Sequence, residues 1–373
     1  TKLQCTLQNI SSYRYQFIIL FAAGIFILGV FNCKQKRQLA VISSLTLLFL
    51  GEITLSAYLY GSYPVVSVLK GLLYVLAFNA VLYGVFATAD KINWICFLKR
   101  FFLLLYGLSI FAIPFMSLRT KNGHAFQGIF IHPNLFGIYA AVLIALLLAE
   151  IHASKVKYVV ACILAVLFMQ YLSESRTGLF SSLLVIGVYF IYSFKGSKKI
   201  QYVLLGLFFV SMMVLFMPDV SERIYEKSED FIFKKAGDNL LFSRRGQIRR
   251  FAEKISASPV WGTGFMAPYD KNIKSYDLKL DAYVEQGNIF MAVTSETGFF
   301  GTVIFALIFI AIYCKGNKEY AHLFATPFII SCGEMVFFST NSVGLTLYIL
   351  LAVYCQRGLK NPKPEPCLVS EGN

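Results

Sequence analysis

Eleven apolar runs divide this chain, at about 15–31, 39–60, 65–89, 101–116, 135–151, 158–172, 179–194, 200–217, 289–313, 321–338 and 342–355. A helix needs about 20 apolar residues to cross the hydrocarbon core of a bilayer, and each run crosses it or nearly does. Only 14% of the 373 residues are charged and 57% are hydrophobic, whereas a soluble domain carries about 25% charged residues. The expected fold is therefore all-α: a polytopic integral membrane protein of about eleven spans, or twelve if a further span precedes Thr1. The first run lacks a basic leader and a small-residue cleavage site, so it is read as a permanent anchor.

The net charge of +14 would suggest nucleic acid in a soluble chain. Here its distribution first reports topology. One set of alternate connections holds Lys34, Lys36, Arg37, Lys91, Lys99, Arg100, Lys155, Lys157, Lys195, Lys198, Lys199, Lys315, Lys318, Arg357, Lys360 and Lys363. The other short segments hold Lys2, Arg14, Arg119, Lys121 and Arg176. Positive-inside bias places the first set in the cytoplasm, with the N-terminus outside and the C-terminus inside. The expected divisions are 1–217 (about eight spans), a large outer loop at 218–288, 289–355 (about three spans) and a cytoplasmic tail at 356–373. The outer loop holds 12 basic and 11 acidic residues, so no nucleic-acid partner is expected. None of the eight cysteines lies in that loop and none forms a CxxC, which excludes disulfide stapling of it. His124 and His132 lie on the outer side, and His152 and His322 on the cytoplasmic side. No metal constellation assembles from them, and no cofactor is expected.

Ionisable residues inside spans are costly and point to function. Glu52 and Lys70 lie near the outer ends of antiparallel neighbours and are placed to pair, although Lys70 is equally able to snorkel to the interface. Glu334, and Glu174 with Arg176, lie on the same side. Before the fifth span, Gly128-Ile-Phe-Ile-His132-Pro133-Asn134 reads as a helix start with Asn134 as N-cap; His132 is alternatively a proton shuttle. Ser173-Glu174-Ser175-Arg176-Thr177-Gly178 is a short hairpin that holds its arginine at membrane depth. A guanidinium there suits a phosphate or diphosphate, or a contact with Glu174 or a lipid head group. In the large loop, 220–236 and 246–257 have helical apolar spacing. The second segment groups Ile248, Phe251 and Ile255, with Arg249, Arg250 and Lys254 elsewhere. Such helices lie along the membrane surface. The run Arg244-Arg245-Gly246-Gln247-Ile248-Arg249-Arg250 is a guanidinium cluster or a solvated basic face. After it, Pro259-Val-Trp261-Gly262-Thr-Gly264 makes a turn that admits close backbone approach. Asn288 through Glu296 then opens the ninth span.

These pieces resemble the O-antigen ligase and O-antigen polymerase (Wzy-type) superfamily of bacterial envelope glycosyltransferases over roughly residues 120–310. The likeness rests on G-x-F-x-H-P-N at 128–134, S-R-x-G at 175–178, S-R at 243–244, P-x-x-G-x-G from Pro259 and E-x-G-x-x-G from Glu296 to Gly301. It implies a multi-pass plasma-membrane enzyme whose donor is an undecaprenyl-diphosphate-linked oligosaccharide, with a flippase and a chain-length regulator of the same pathway as partners. The diphosphate would be held by Arg176 and Arg244, with Arg245 and Arg249 beside them. Lys70, Glu52, Asn134, Gly262, Gly264, Asn288 and Glu296 would support the site. A dry site makes such preorganised donors count for more than they do in water.

Ligases of this family usually carry His-Asn nine residues before the glutamate. This chain has Gly287-Asn288 there, and no histidine occurs anywhere in 218–288. The expectation is therefore a polymerase of O-antigen or capsule, with Glu285, Asp281 or His132 activating the acceptor hydroxyl. A ligase acting on lipid A core and a glycolipid flippase or exporter are the alternatives. A transporter would place its ionisable groups near the midplane of related repeats, and no internal repeat is evident.

Overall fold

The computed structural model describes residues 14–111, 125–151, 156–193, 245–267, 288–339 and 342–360. These residues form α1 (Arg14–Asn32), α2 (Lys36–Tyr60), α3 (Pro64–Ala87), α4 (Trp94–Phe111), α5 (Pro133–Ala149), α6 (Val156–Leu172), α7 (Arg176–Ser193), α8 (Arg245–Ala257), α9 (Ile289–Lys315), α10 (Ala321–Gly333) and α11 (Ser342–Lys360). A single 3-10 turn, Lys318–Tyr320, precedes α10. The described residues are helical, with no strands. Six helices, α2, α3, α4, α7, α9 and α11, are long and apolar enough to cross a membrane; α1, α5 and α6 are shorter apolar helices.

Helix positions follow the apolar runs closely, with two informative differences. The fourth apolar run begins at Phe101, but α4 begins at Trp94. Ile95, Leu98, Phe102 and Tyr106 are all buried, an i, i+3, i+4 stripe that continues past Lys99 and Arg100. Lys99 is tolerated because it meets Glu150, at the end of α5, in a buried ion pair. The tenth apolar run spans 321–338, whereas α10 stops at Gly333. Pro327 lies inside it and Glu334 follows in extended conformation, so the chain at 334–339 turns back along the bundle. The run at 200–217, the segment 220–236, His124 and His152 lie outside the described residues.

α5 is the axis of the molecule. Residues Phe136 through Leu148 are buried, as expected of a helix that is apolar all round. It meets α7 backbone to backbone: a Cβ on Gly178 would lie 2.4 Å from Gly137 Cα, the small-residue approach by which membrane helices pack. Outward-pointing Phe21, Leu28, Leu48, Leu104, Phe168 and Phe190 stay exposed, as lipid-facing residues would.

The helices run between two faces. One gathers the connection 61–63, residues 125–132, the hairpin 173–175, α8 with 258–267, and 334–339. Its coherence is seen in Phe126 N–H donating to Leu172 O (3.0 Å) and Asn134 Nδ2 to Glu334 Oε1 (3.0 Å). The other is tied by Lys34–Asp90 at 3.1 Å and by Tyr354 Oη donating to Tyr313 O at 3.1 Å. Lys34, Lys91, Lys99, Lys315, Lys318 and Arg357 all belong to this second face, the partition that the charge count draws.

Candidate functional site

The site is built around a break in α9. Gly298 adopts φ 63°, ψ −163° in the middle of that helix, a left-handed φ that glycine alone adopts readily. A break strands peptide groups, and in a lipid-like interior each stranded group costs several kcal/mol. The loop 258–267 takes up four of them. Thr263 donates to Ser295 O through both N (3.2 Å) and Oγ1 (3.2 Å), and Gly264 N donates to Glu296 O at 3.1 Å. In return, Phe299 N donates to Pro259 O (3.0 Å) and Phe300 N to Val260 O (3.3 Å).

This exchange explains the glycines of both motifs. A Cβ on Gly262 would stand 2.3 Å from Glu296 O, and one on Gly298 2.4 Å from Val260 O. Gly301 leaves room for the Thr297 side chain and for Glu52, whose Oε2 would lie 2.6 Å from a Cβ there. P-x-x-G-x-G and E-x-G-x-x-G are thus two halves of one interlock.

Charge seals the joint. Glu296 is 1% exposed; its Oε2 accepts from Met266 N at 2.8 Å and its Oε1 lies 3.7 Å from Lys254 Nζ. Lys70 Nζ donates to Met266 O at 2.8 Å. The backbone N–H and C=O of one residue are therefore held by a carboxylate and an ammonium. Met266 itself has φ 50°, a left-handed conformation that costs about 1–2 kcal/mol without glycine. Hydrogen bonds to charged groups contribute about 1.5–3 kcal/mol each and offset that strain.

Several expectations change here. Lys70 faces Met266 and Glu296 rather than Glu52; both Glu52 carboxyl oxygens are buried without a hydrogen-bond partner among the described residues. Glu52 lies against the first turn of the second half of α9, where the helix dipole favours negative charge. α8 also departs from the predicted face. Ile248 is 42% exposed while Lys254 is 2% exposed, between half-buried Phe251 and Ile255. Apolar spacing cannot reveal Lys254 as a buried residue, because its counter-charge sits on another helix. Burial pushes the Lys254 ammonium below the usual lysine range; Glu296 opposes the shift and Arg250 adds to it. Arg249 is 82% exposed and pairs with Glu253 on its own helix at 2.9 Å.

A second polar group lies on the same face. His132 is the N-cap of α5, its Nδ1 accepting from Asn134 N at 3.1 Å, with Pro133 at the first helical position. The predicted cap, Asn134, instead crosses to Glu334. With Nδ1 accepting, the neutral ring carries its proton on Nε2 and has no second lone pair with which to act as a base. Arg176 opens α7, half-buried, after the hairpin in which Glu174 has φ 50°. Ser175 and Gly178 pack on Gly137. This fixes the hairpin against α5.

The segment after α10 joins the two groups. Val336 N donates to Glu334 O (2.8 Å), Tyr348 Oη holds Phe337 O (2.6 Å), and the Phe338 ring lies 4.8 Å from Phe265 and 5.0 Å from Tyr74. Five residues thus lead from the Asn134 contact to the loop beside Glu296, at most about 14 Å of extended chain. Asn288 caps α9 by accepting from Met291 N at 2.9 Å. Asp281, Glu285 and Arg244 lie outside the described residues, as does the side chain of Arg245, the first residue of α8. No cluster of three metal-ligating side chains occurs among the described residues.

An all-helical bundle with an interrupted apolar helix, plugged by a glycine loop and flanked by buried charge, defines a membrane protein with a polar site at one face. Residues 160–306 match the Wzy_C family model, described as O-antigen ligase; over this stretch, which holds Arg176, α8, the glycine loop and the break in α9, the chain is similar to the O-antigen ligase/polymerase superfamily. Members of that family are glycosyltransferase-like enzymes. A comparison with curated proteins finds no match.

Proposed function

We propose that the protein is a polysaccharide polymerase, which joins undecaprenyl-diphosphate-linked repeat units on the outer face of a bacterial plasma membrane. The observation that carries this reading is the interlock of Glu296–Gly301 with Pro259–Gly264, which anchors a basic helix beside an interrupted span on the face shared with Arg176. A glycan leaving its lipid carrier breaks the bond from its anomeric carbon to a phosphate oxygen. The departing diphosphate gains the electron pair and needs fixed positive charge; Arg176 and Arg244 supply it.

The acceptor hydroxyl attacks the anomeric carbon and gives up its proton to a base. Glu285 and Asp281 take that part in this reading, since His132 Nδ1 is occupied as a helix cap. The segment that carries both carboxylates runs from Ala267, buried beside the Lys70–Met266 contact, to the Asn288 cap of α9. The rest of the assignment follows from charge. The face whose short connections carry fewer basic residues is the outer one by the positive-inside rule, so the site faces outward and the C-terminus is cytoplasmic. Polymerase is preferred over ligase because Gly287 stands where a ligase has its histidine.

Deleting the gene and resolving the surface glycan on a gel tests this reading. A surface species bearing a single repeat unit is expected. Bare core with polymer left on the lipid carrier would make the protein a ligase, and intermediates trapped inside a flippase. Retained polymer in Arg176→Ala and Arg244→Ala, at normal protein levels, would remove the diphosphate assignment.

A further inference from the structure

Lys254 is a buried charge that the motifs do not include. Its side chain is 2% exposed, its ammonium lies 3.7 Å from Glu296 Oε1, and Glu296 in turn holds Met266 of the glycine loop. A lysine in this place is costly to bury, and a methionine would fill similar space. What the charge adds is direction, because a point-to-point ion pair fixes the rotation of α8 about its own axis. At about 100° per residue, Arg250 lies one turn before Lys254 and only about 40° away around the helix. Arg249 lies about 140° away and Arg245 about 180° away. Arg250 is exposed, yet its charge bears on Lys254. Arg249 is held by Glu253 on the far side.

Resting on the function proposed above, we propose that Lys254 is a positioning residue: its ion pair with Glu296 sets the rotation of α8 so that Arg250 stands at the rim of broken α9 and grips the donor diphosphate. A guanidinium presents paired donors that match phosphate oxygens, and a rim position leaves the ligand free to enter from the membrane. Lys254 touches no substrate and acts through Arg250.

The test measures the affinity of the full chain in nanodiscs for undecaprenyl diphosphate itself, with the unfolding midpoint recorded for every variant. Arg250→Ala and Lys254→Met are each expected to raise Kd about tenfold, the loss of about one charged hydrogen bond; Lys254→Arg should stay within about twofold. The double variant Lys254→Met/Arg250→Ala should lose no more than about tenfold, because the two residues act as one unit. If Lys254→Met does not fold, Lys254→Met/Glu296→Gln, which leaves no lone buried charge, takes its place in the same cycle. A wild-type Kd in the folded neutral variant, or losses that multiply to about a hundredfold, would overturn the assignment alone. Failure of undecaprenyl diphosphate to bind the wild-type chain would overturn the proposed function, and this assignment with it.

Discussion

Gly298 combines a left-handed φ of 63° with a close backbone approach. Alanine there meets a left-handed φ that costs about 1–2 kcal/mol and places a methyl 2.4 Å from Val260 O, which must then move and release the Phe300 N–H. Gly298→Ala is expected to lose most of the monodisperse protein recovered in mild detergent, as size-exclusion chromatography would show. His132 behaves differently: His132→Ala removes a cap that contributes about 1 kcal/mol, lowering the thermal midpoint while the pH–rate profile of the proposed glycan transfer keeps its inflection. A moved inflection would return His132 to the role of base. Lys254 carries a pH signature. Its folded pKa lies below the ordinary value of about 10.4, so between those two values the folded state binds fewer protons than the unfolded chain. Stability relative to Lys254→Met should therefore rise with pH across that window, a slope that thermal unfolding at stepped pH measures.

Among the elements, α4 and α5 show how a charged helix end is made acceptable. Lys99 and Glu150 are 11% and 7% exposed. Removing one partner from a buried pair costs about 3–5 kcal/mol, whereas replacing both with apolar residues is often neutral. Lys99→Met should thus be strongly destabilised and Lys99→Met/Glu150→Leu should recover most of the loss in denaturant titration. Helix positions were legible in the sequence because burial in a membrane protein is written as uninterrupted apolar length. Helix ends were less so. The start of α4 depends on the Lys99–Glu150 pair, 51 residues apart, and the end of α10 on Glu334, which leaves the helix to meet Asn134, 200 residues away.

For the whole molecule, the two faces give a direct test of orientation. In a background without native cysteines, single cysteines at Ser62 and Ser256 should react with an impermeant maleimide in intact cells, while one at Lys318 should react only after permeabilisation. The reverse pattern would invert the proposed topology. The same two faces explain why the candidate site was only half legible. Glu296, Gly262, Gly264, Asn134 and Arg176 could be picked out because motif spacing marks positions where backbone must approach backbone or a helix must start. Lys254, Arg250 and Met266 could not, since their importance lies in what stands opposite them.

The sequence by itself determined that the chain is helical, apolar along its spans, and basic on one face, because hydropathy and charge act on each residue regardless of its neighbours. It also carried the two glycine motifs, though as separate marks. Only the tertiary structure decided that these motifs are one joint, that Lys70 serves Met266 rather than Glu52, and that α8 turns Lys254 inward. The reason is physical: a stranded peptide group or a buried charge must find its partner wherever in the chain it lies, and that partner is a matter of three-dimensional packing rather than local spacing.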